Sequence, residues 1–315
     1  MSRARAPAAL AVLLAGTVAA ACTGLPAEKA GARAASRCGA GPSFAYGGER
    51  ATLWVRNSSE YRASAETIWR GAIEALKRGL ADPAWTAEPT QAGDLSALPP
   101  AVVMDVDETV LDNSEPQARF LLQGTCLEEF AAAWDAWVAE RSAPAVPGAA
   151  EFVATARSLT DPAGRPVRVF FVTNRACARR PGNDDPCPQE ADTAANLEAA
   201  GMGSETLDAE LLLRGEHPDW QGEKLSRRAE IARSHRIVLN VGDDLADFLP
   251  EVRRQGVAER DRARCARDAW WGSRWFMLPN PMYGSWLVAS GDDFAGALAA
   301  PPAVHGSCPP GDAAP

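Results

Sequence analysis

The sequence has few of the residues and motifs that several common functions require. It has only three histidines and no Cys-x-x-Cys pair, which disfavours a structural zinc site. The nucleotide-binding motifs GxxxxGK[S/T] and GxGxxG and the serine-hydrolase motif GxSxG are also missing. Basic residues are too few to balance the acidic ones, and the net charge of −9 argues against a nucleic-acid polymer as partner. Small anions are still possible ligands if a metal ion or a local lysine supplies positive charge.

Long apolar stretches are missing as well, except at the N-terminus. Arg3 and Arg5 precede the run AALAVLLAGTVAA, which is too short to span a bilayer stably and predicts a signal peptide over residues 1–21. The following Cys22 comes after small residues, as in a bacterial lipoprotein site. We therefore expect an exported protein, either secreted or attached to the cell surface through lipidated Cys22, with a flexible tether over residues 22–48.

The cysteines support export. Beyond Cys22, the chain contains an even set of six: Cys38, Cys126, Cys177, Cys187, Cys265 and Cys308. Six cysteines in an exported chain predict disulfides, although free buried thiols remain an alternative. The sequence leaves the pairing open, but Cys177 and Cys187 flank the loop ARRPGNDDP and could close it.

Apolar patterns predict an α/β fold. Short runs rich in Val, Ile and Phe, typical of buried parallel strands, occupy residues 101–104, 167–172 and 236–241. Helical spacing predicts a helix from Ser59 to Leu80 with Ser58 or Ser59 as N-cap, and further helices over residues 127–141, 149–159, 190–201 and 222–235. This order favours a doubly wound parallel sheet in one domain over residues 49–300, with a helical cap near 114–145 and a disordered tail over 301–315.

Polar side chains follow each of the three predicted strands. They are Asp105 and Asp107 after the first, Thr173 and Asn174 after the second, and Asp243 and Asp247 after the third. In open α/β sheets, ligands bind beyond the carboxyl ends of the strands. Carboxylates from two strand ends suit Mg²⁺, and Lys224 could supply positive charge to a phosphate. Each feature alone is more often a turn, a cap or a solvated residue, but their joint occurrence in this order predicts a site.

These residues lie in motifs that resemble a known family. DVDETVLDN, VFFVTNR, Lys224 and VGDDLADF resemble the four ordered motifs of the haloacid-dehalogenase superfamily. SSEYRA, WDAWVAERSAPAVPGAAEF, NLEAAG and MLPNPMYGSW are similar to segments of the bacterial class C acid phosphatases, and the likeness runs from about Trp54 to Trp286. The sequence departs from the family at Asp244, where Asn is usual, and at Ala246, where Asp is usual.

The resemblance implies a Mg²⁺-dependent acid phosphatase that hydrolyses phosphomonoesters through an aspartyl-phosphate. It implies Asp105 as nucleophile and Asp107 as general acid and base, with Mg²⁺ held by Asp105, the Asp107 backbone carbonyl, Asp243 and Asp247. Thr173 and Lys224 would hold the oxygens of the substrate phosphate, and Asn174 is a further candidate for binding the substrate. The segment from Leu127 to Arg141 and the N-terminal helix would form a lid that selects substrates.

Two aromatic residues are candidates for binding the leaving group. Tyr283 lies in PNPMYGSW, whose Pro and Gly predict a loop where a ring can face a ligand, and Trp134 lies in the predicted cap. Most large aromatic side chains belong to cores, so a purely structural role remains the alternative. Stacking would favour nucleoside monophosphates and aryl phosphates over small aliphatic ones.

The same motifs are also compatible with other functions. One is a phosphotransferase or phosphomutase of this superfamily, which must exclude water. Another is a noncatalytic, metal-stabilised binding protein, which would usually lack the nucleophile or the lysine, and both are present here. A homodimer also remains open.

Overall fold

A parallel sheet of five strands forms the centre of the fold. In the computed structural model, which describes residues 48–291, 293–300 and 308, the strand order is β3-β2-β1-β4-β5. The strands are β1 (Pro100–Met104), β2 (Arg168–Ala176), β3 (Leu211–Arg214), β4 (Arg236–Gly242) and β5 (Trp275–Met277). The three predicted strands are confirmed as its three central ones. The edge strands β3 and β5 were not predicted, because runs of four and three residues carry little periodic signal.

Helices cover both faces of the sheet. They are α1 (Gly48–Asn57), α2 (Ser59–Ala81), α3 (Ser114–Gln123), α4 (Leu127–Glu140), α5 (Ala149–Ser158), α6 (Pro188–Ala199), α7 (Leu207–Glu210), α8 (Leu225–Ser234), α9 (Val257–Cys265), α10 (Ser285–Ala289) and α11 (Phe294–Ala299). Along β1, Val102 and Met104 face the core under α2 and α5, while Ala101 and Val103 face the core under α8. Burial on both faces explains why β1 is a continuous apolar run, and the doubly wound α/β prediction is confirmed.

The N-terminal helix is a structural layer of the domain. Ser58 caps α2, because its hydroxyl oxygen accepts a hydrogen bond from the Tyr61 amide at 3.0 Å. Trp69 and Leu76 of α2 are buried against the sheet. The prediction that this helix acts as a lid is therefore wrong, since the apolar face of α2 packs against the sheet.

Two disulfides join described residues. Cys177 pairs with Cys187, as the loop between them suggested, and Cys265 pairs with Cys308. The second bond attaches residue 308, in the segment predicted as a tail, to the end of α9. Cys126 is also disulfide-bonded.

The predicted signal peptide and nearly all of the predicted tether, with Cys22 and Cys38, lie outside the described residues. Export and lipidation therefore stay predictions. Among the helices that the structure describes, none has the length and apolar character needed to cross a membrane.

Candidate active site

A cleft of about 540 Å³ opens at the carboxyl end of the sheet, a size typical of small-molecule sites. Strand ends supply its floor, while α4, the 3-10 helix Pro250–Arg254 and the loop before α10 supply its walls. Its lining includes most of the predicted site residues, namely Asp105, Asp107, Trp134, Asn174, Lys224, Asp243, Asp247 and Tyr283. The chain thus brings together groups that are up to 178 residues apart, from Asp105 to Tyr283.

Asp105 stands at the floor of the cleft beside a buried lysine. It directly follows β1, and its amide donates a hydrogen bond to the Val241 carbonyl of β4 at 2.9 Å. Lys224, at the N-cap position of α8, forms ion pairs with Asp105 and, at 2.7 Å, with Asp247. Burial alone would lower the pKa of Lys224, but the two carboxylates outweigh it, so this pKa is raised and the lysine stays charged.

Three carboxylates crowd together at this point. Asp105, Asp243 and Asp247 each offer an oxygen, and these atoms lie within 4.8 Å of one another. Burial, opposed by Lys224 and reinforced by neighbouring carboxylates, raises the pKa of Asp105 to about 6. Burial and the charges of Asp105 and Asp247 also raise the pKa of Asp243 well above its usual value. One lysine does not offset this repulsion, and the cluster fits a divalent cation.

The loop after β4 is shaped to bring Asp247 into the cluster. A Cβ atom at Gly242 would lie 2.5 Å from the Asp247 Oδ2 atom, so only glycine permits this approach. Asp243 is oriented from two sides, since Thr109 donates to its Oδ1 at 3.1 Å and Asn280 to its Oδ2 at 2.8 Å.

Asp244, one of the two positions at which the sequence departs from the resembled motif, takes a structural position. Its carboxylate accepts hydrogen bonds from the amide and the hydroxyl of Ser285. It also caps the 3-10 helix Leu245–Asp247, accepting from the Ala246 amide at 2.8 Å. Asp244 thereby joins the loop that carries the carboxylate cluster to the loop that carries Tyr283.

Asp107 is held by an arginine that the sequence analysis did not assign to the site. Arg175 Nε and Nη2 donate to Asp107 Oδ1 at 3.0 and 2.9 Å. Asn113 donates to the same oxygen at 3.1 Å. Arg175 follows the predicted Thr173 and Asn174 directly, so its position at a strand end was the one available signal. Its side chain is fully buried, and the bidentate contact fixes the orientation of Asp107.

Thr173 and Asn174 lie at different depths. Thr173 is fully buried behind Asp107, where its hydroxyl donates to Asp107 Oδ2 at 3.4 Å and accepts from the Arg175 amide at 3.0 Å. Asn174 lines the cleft, and its Oδ1 accepts from Arg227 at 2.9 Å. Of this pair, Asn174 is the one placed at the surface that a ligand would contact.

Aromatic side chains line the entrance of the cleft. Phe130 and Trp134 project from α4 and stack with ring centroids 6.0 Å apart. Tyr283 lies in the predicted loop between β5 and α10, and its hydroxyl is buried without a hydrogen-bond partner among the described residues. The cleft therefore combines a charged floor with apolar rings, as sites for ring-bearing ligands do.

The loop closed by Cys177 and Cys187 positions α4. Arg180 of this loop donates from Nε to Asp135 Oδ2 of α4 at 2.8 Å and also pairs with Asp192 of α6. Gln189 of α6 donates to the other Asp135 oxygen at 2.6 Å. Asp135 lies one residue from Trp134, so the disulfide loop fixes the wall that carries the aromatic rings.

Comparisons with known proteins agree with this arrangement. The family model described as HAD superfamily, subfamily IIIB (Acid phosphatase) matches residues 84–286. The solved structures of the class C acid phosphatase from Bacillus anthracis, one of them with tungstate bound, are each 28% identical to this chain with a TM-score of 0.62. Each match covers 80% of this chain and 93% of the other. The resemblance seen in the motifs is confirmed. This chain belongs to the acid phosphatases of the HAD superfamily, subfamily IIIB, and is a phosphomonoesterase.

Proposed function

We propose that this phosphatase uses Asp105 as its nucleophile, with Mg²⁺ as cofactor and nucleoside monophosphates and aryl phosphates as substrates. The observation that carries the proposal is the position of Asp105 at the floor of the cleft, against Lys224 and within the carboxylate cluster. A carboxylate in that position faces any phosphate that the lysine and a cation attract.

In the first half of the reaction, an Asp105 oxygen attacks the phosphorus and the bond from phosphorus to the leaving oxygen breaks. The leaving oxygen takes a proton from the Asp107 carboxyl group, and the phosphoryl group stays on Asp105. In the second half, a water oxygen attacks this phosphorus, Asp107 takes a proton from the water, and the bond to Asp105 breaks. Phosphate leaves and both side chains return to their starting forms.

Asp107 is suited to this role because contacts on its protein side fix the orientation of its carboxylate. Arg175, Asn113 and Thr173 contact its carboxylate from the protein side, while Asp107 itself lines the cleft. Its spacing of two residues from Asp105 lets both carboxyl groups approach one phosphorus from different directions.

Asp105, Asp243, Asp247 and the backbone carbonyl of Asp107 would hold the magnesium ion. The donor set contains only oxygen atoms, which Mg²⁺ prefers. Burial and the neighbouring carboxylates raise the pKa values of Asp105 and Asp243, and a bound cation would stabilise their charged forms. When bound, the ion offsets the repulsion between the Asp105 carboxylate and an anionic substrate.

Removal of metal and the change Asp243→Asn test this assignment. Chelation by EDTA should abolish hydrolysis of para-nitrophenyl phosphate, and added Mg²⁺ should restore it. Asp243→Asn removes one anionic ligand, so the Mg²⁺ concentration for half-maximal activity should rise about 10-fold or more. The matched control is Asp261→Asn on α9, outside the cluster, whose Mg²⁺ titration should follow the wild type. Full activity in EDTA, or an unchanged titration in Asp243→Asn, contradicts the metal assignment.

The aromatic entrance supports the choice of substrates. Base-to-aromatic stacking contributes about 1–3 kcal/mol per base. Tyr283→Ala should therefore lower kcat/KM for a nucleoside monophosphate about 10-fold relative to glycerol phosphate, measured by phosphate release under the same conditions. Tyr283→Phe, which keeps the ring and removes the unpartnered hydroxyl, should retain the preference. Equal losses on both substrates in Tyr283→Ala would show that the ring only supports the loop.

A further inference from the structure

Two arginines on the cleft wall have no role in the chemistry described so far. Arg253 and Arg254 end the 3-10 helix Pro250–Arg254, and both line the cleft. Among the residues that the structure describes, neither guanidinium has a carboxylate within 4.0 Å. No described carboxylate thus neutralises their charge, which is available to an anionic ligand.

The other cations of the cleft are already engaged. Lys224 is shared between Asp105 and Asp247, and Arg175 is held by Asp107. Arg253 and Arg254 therefore add positive charge beyond what the catalytic floor uses, in a chain whose net charge is −9. A substrate whose only phosphate is the one that is cleaved would leave the positive charge of Arg253 and Arg254 without an anionic partner.

Arg253 is anchored so that its side chain stays at the cleft. Its Nη1 donates a hydrogen bond to the Gly222 carbonyl at 2.9 Å. The guanidinium lies directly over Gly222, since a Cβ atom there would be 3.6 Å from the Arg253 Cζ atom. Gly222 is two residues before Lys224, so the segment that carries the catalytic lysine also positions Arg253. A guanidinium that is held in place before binding loses less conformational entropy when a ligand arrives.

We propose that Arg253 and Arg254 form a subsite for a second phosphate, so that the preferred substrates are phosphomonoesters whose leaving group carries another phosphate. The proposal rests on the proposed function, in which the phosphate to be cleaved lies at Asp105. Two arginines suit a phosphate because each guanidinium offers several donors in a plane that matches its oxygens. Together with the rings of Trp134 and Tyr283, the subsite fits a nucleoside bisphosphate.

The test compares adenosine 3′,5′-bisphosphate with adenosine 5′-monophosphate at one fixed ionic strength, with substrate consumption followed chromatographically. The wild type should have the higher kcat/KM for the bisphosphate. In the double variant Arg253→Ala/Arg254→Ala, the ratio of the two kcat/KM values should fall at least 10-fold, which corresponds to about 1.4 kcal/mol. The control variant Arg70→Ala/Arg262→Ala removes two exposed arginines outside the cleft and should leave the ratio unchanged.

A binding measurement separates this proposal from the proposed function. Calorimetry in the Asp105→Asn background should give a Kd for the bisphosphate that weakens at least 10-fold when both arginines are replaced. An unchanged ratio together with an unchanged Kd, or equal losses on both nucleotides, would overturn the subsite. Failure of the wild type to hydrolyse para-nitrophenyl phosphate would instead contradict the proposed function, and the Kd comparison would still decide the subsite.

Discussion

Asp105→Asn should lower kcat by about 10⁴-fold or more while the protein remains folded. The amide cannot act as the nucleophile, but it has nearly the same volume as the carboxylate. Lys224 keeps its ion pair with Asp247, so the change does not leave a buried lysine without a partner. Substrate should still bind, because Asp243 and Asp247, which hold the cation in the proposed function, remain.

Steady-state kinetics with para-nitrophenyl phosphate and with a nucleoside monophosphate measure this loss. Thermal unfolding of the same sample shows whether the fold is intact. Asp261→Asn, the same chemical change on α9, should keep wild-type kinetics. Turnover by Asp105→Asn within a few-fold of the wild type would show that another group attacks the phosphorus.

The largest effect on stability should come from Glu88, which does not line the cleft. Glu88 and Arg228 are both almost fully buried, and Arg228 Nε donates to Glu88 Oε2 at 2.9 Å. Arg228 also donates to the backbone carbonyls of Asp247 and Phe248. Glu88→Gln leaves a buried guanidinium without its counter-charge. The free energy of unfolding should fall by about 3 kcal/mol, as when one partner of a buried ion pair is removed.

Denaturation with urea measures this change in the free energy of unfolding, and two other variants serve as controls. Glu74→Gln breaks an exposed pair with Lys77 and should leave the urea midpoint close to that of the wild type. Glu88→Leu/Arg228→Met removes both buried charges and should recover part of the stability lost in Glu88→Gln. If Glu88→Gln and the wild type unfold at the same urea concentration, the ion pair of Glu88 and Arg228 is not a main contribution to the stability of the loop that contains Asp247.

The central strands and their polar ends could be predicted because their signal is local. β1, β2 and β4 are buried on both faces, so each is an apolar run that ends where the polar residues of the site begin. Parallel strands place their carboxyl ends at one edge, which is why Asp105, Thr173 and Asp243 could be assigned to one site before any distance was known.

The remaining features depend on partners distant in the chain. The segment LSRRAEIARS of α8 has the polar pattern of a solvated helix, yet Arg227 and Arg228 are buried. Their guanidinium groups donate hydrogen bonds to the backbone carbonyls of Thr173 in β2 and of Asp247 in the 3-10 helix after β4. Arg175 likewise acquires its role only through Asp107, which lies 68 residues earlier. The N-terminal helix has the amphipathic pattern of either a lid or a core layer, and only packing decides between them.

The aromatic wall of the cleft and its floor are held in place by different parts of the chain. The aromatic wall is held by Arg180, in a loop bounded by Cys177 and Cys187, whereas the floor is held by strand ends and Lys224. Insertions or deletions between these cysteines alter the support of the wall without altering the strand ends. Under the proposed selection of substrates by the aromatic wall, the substrate range can therefore change among descendants of this chain while the chemistry is retained, and exchange of this loop is a way to redesign the range.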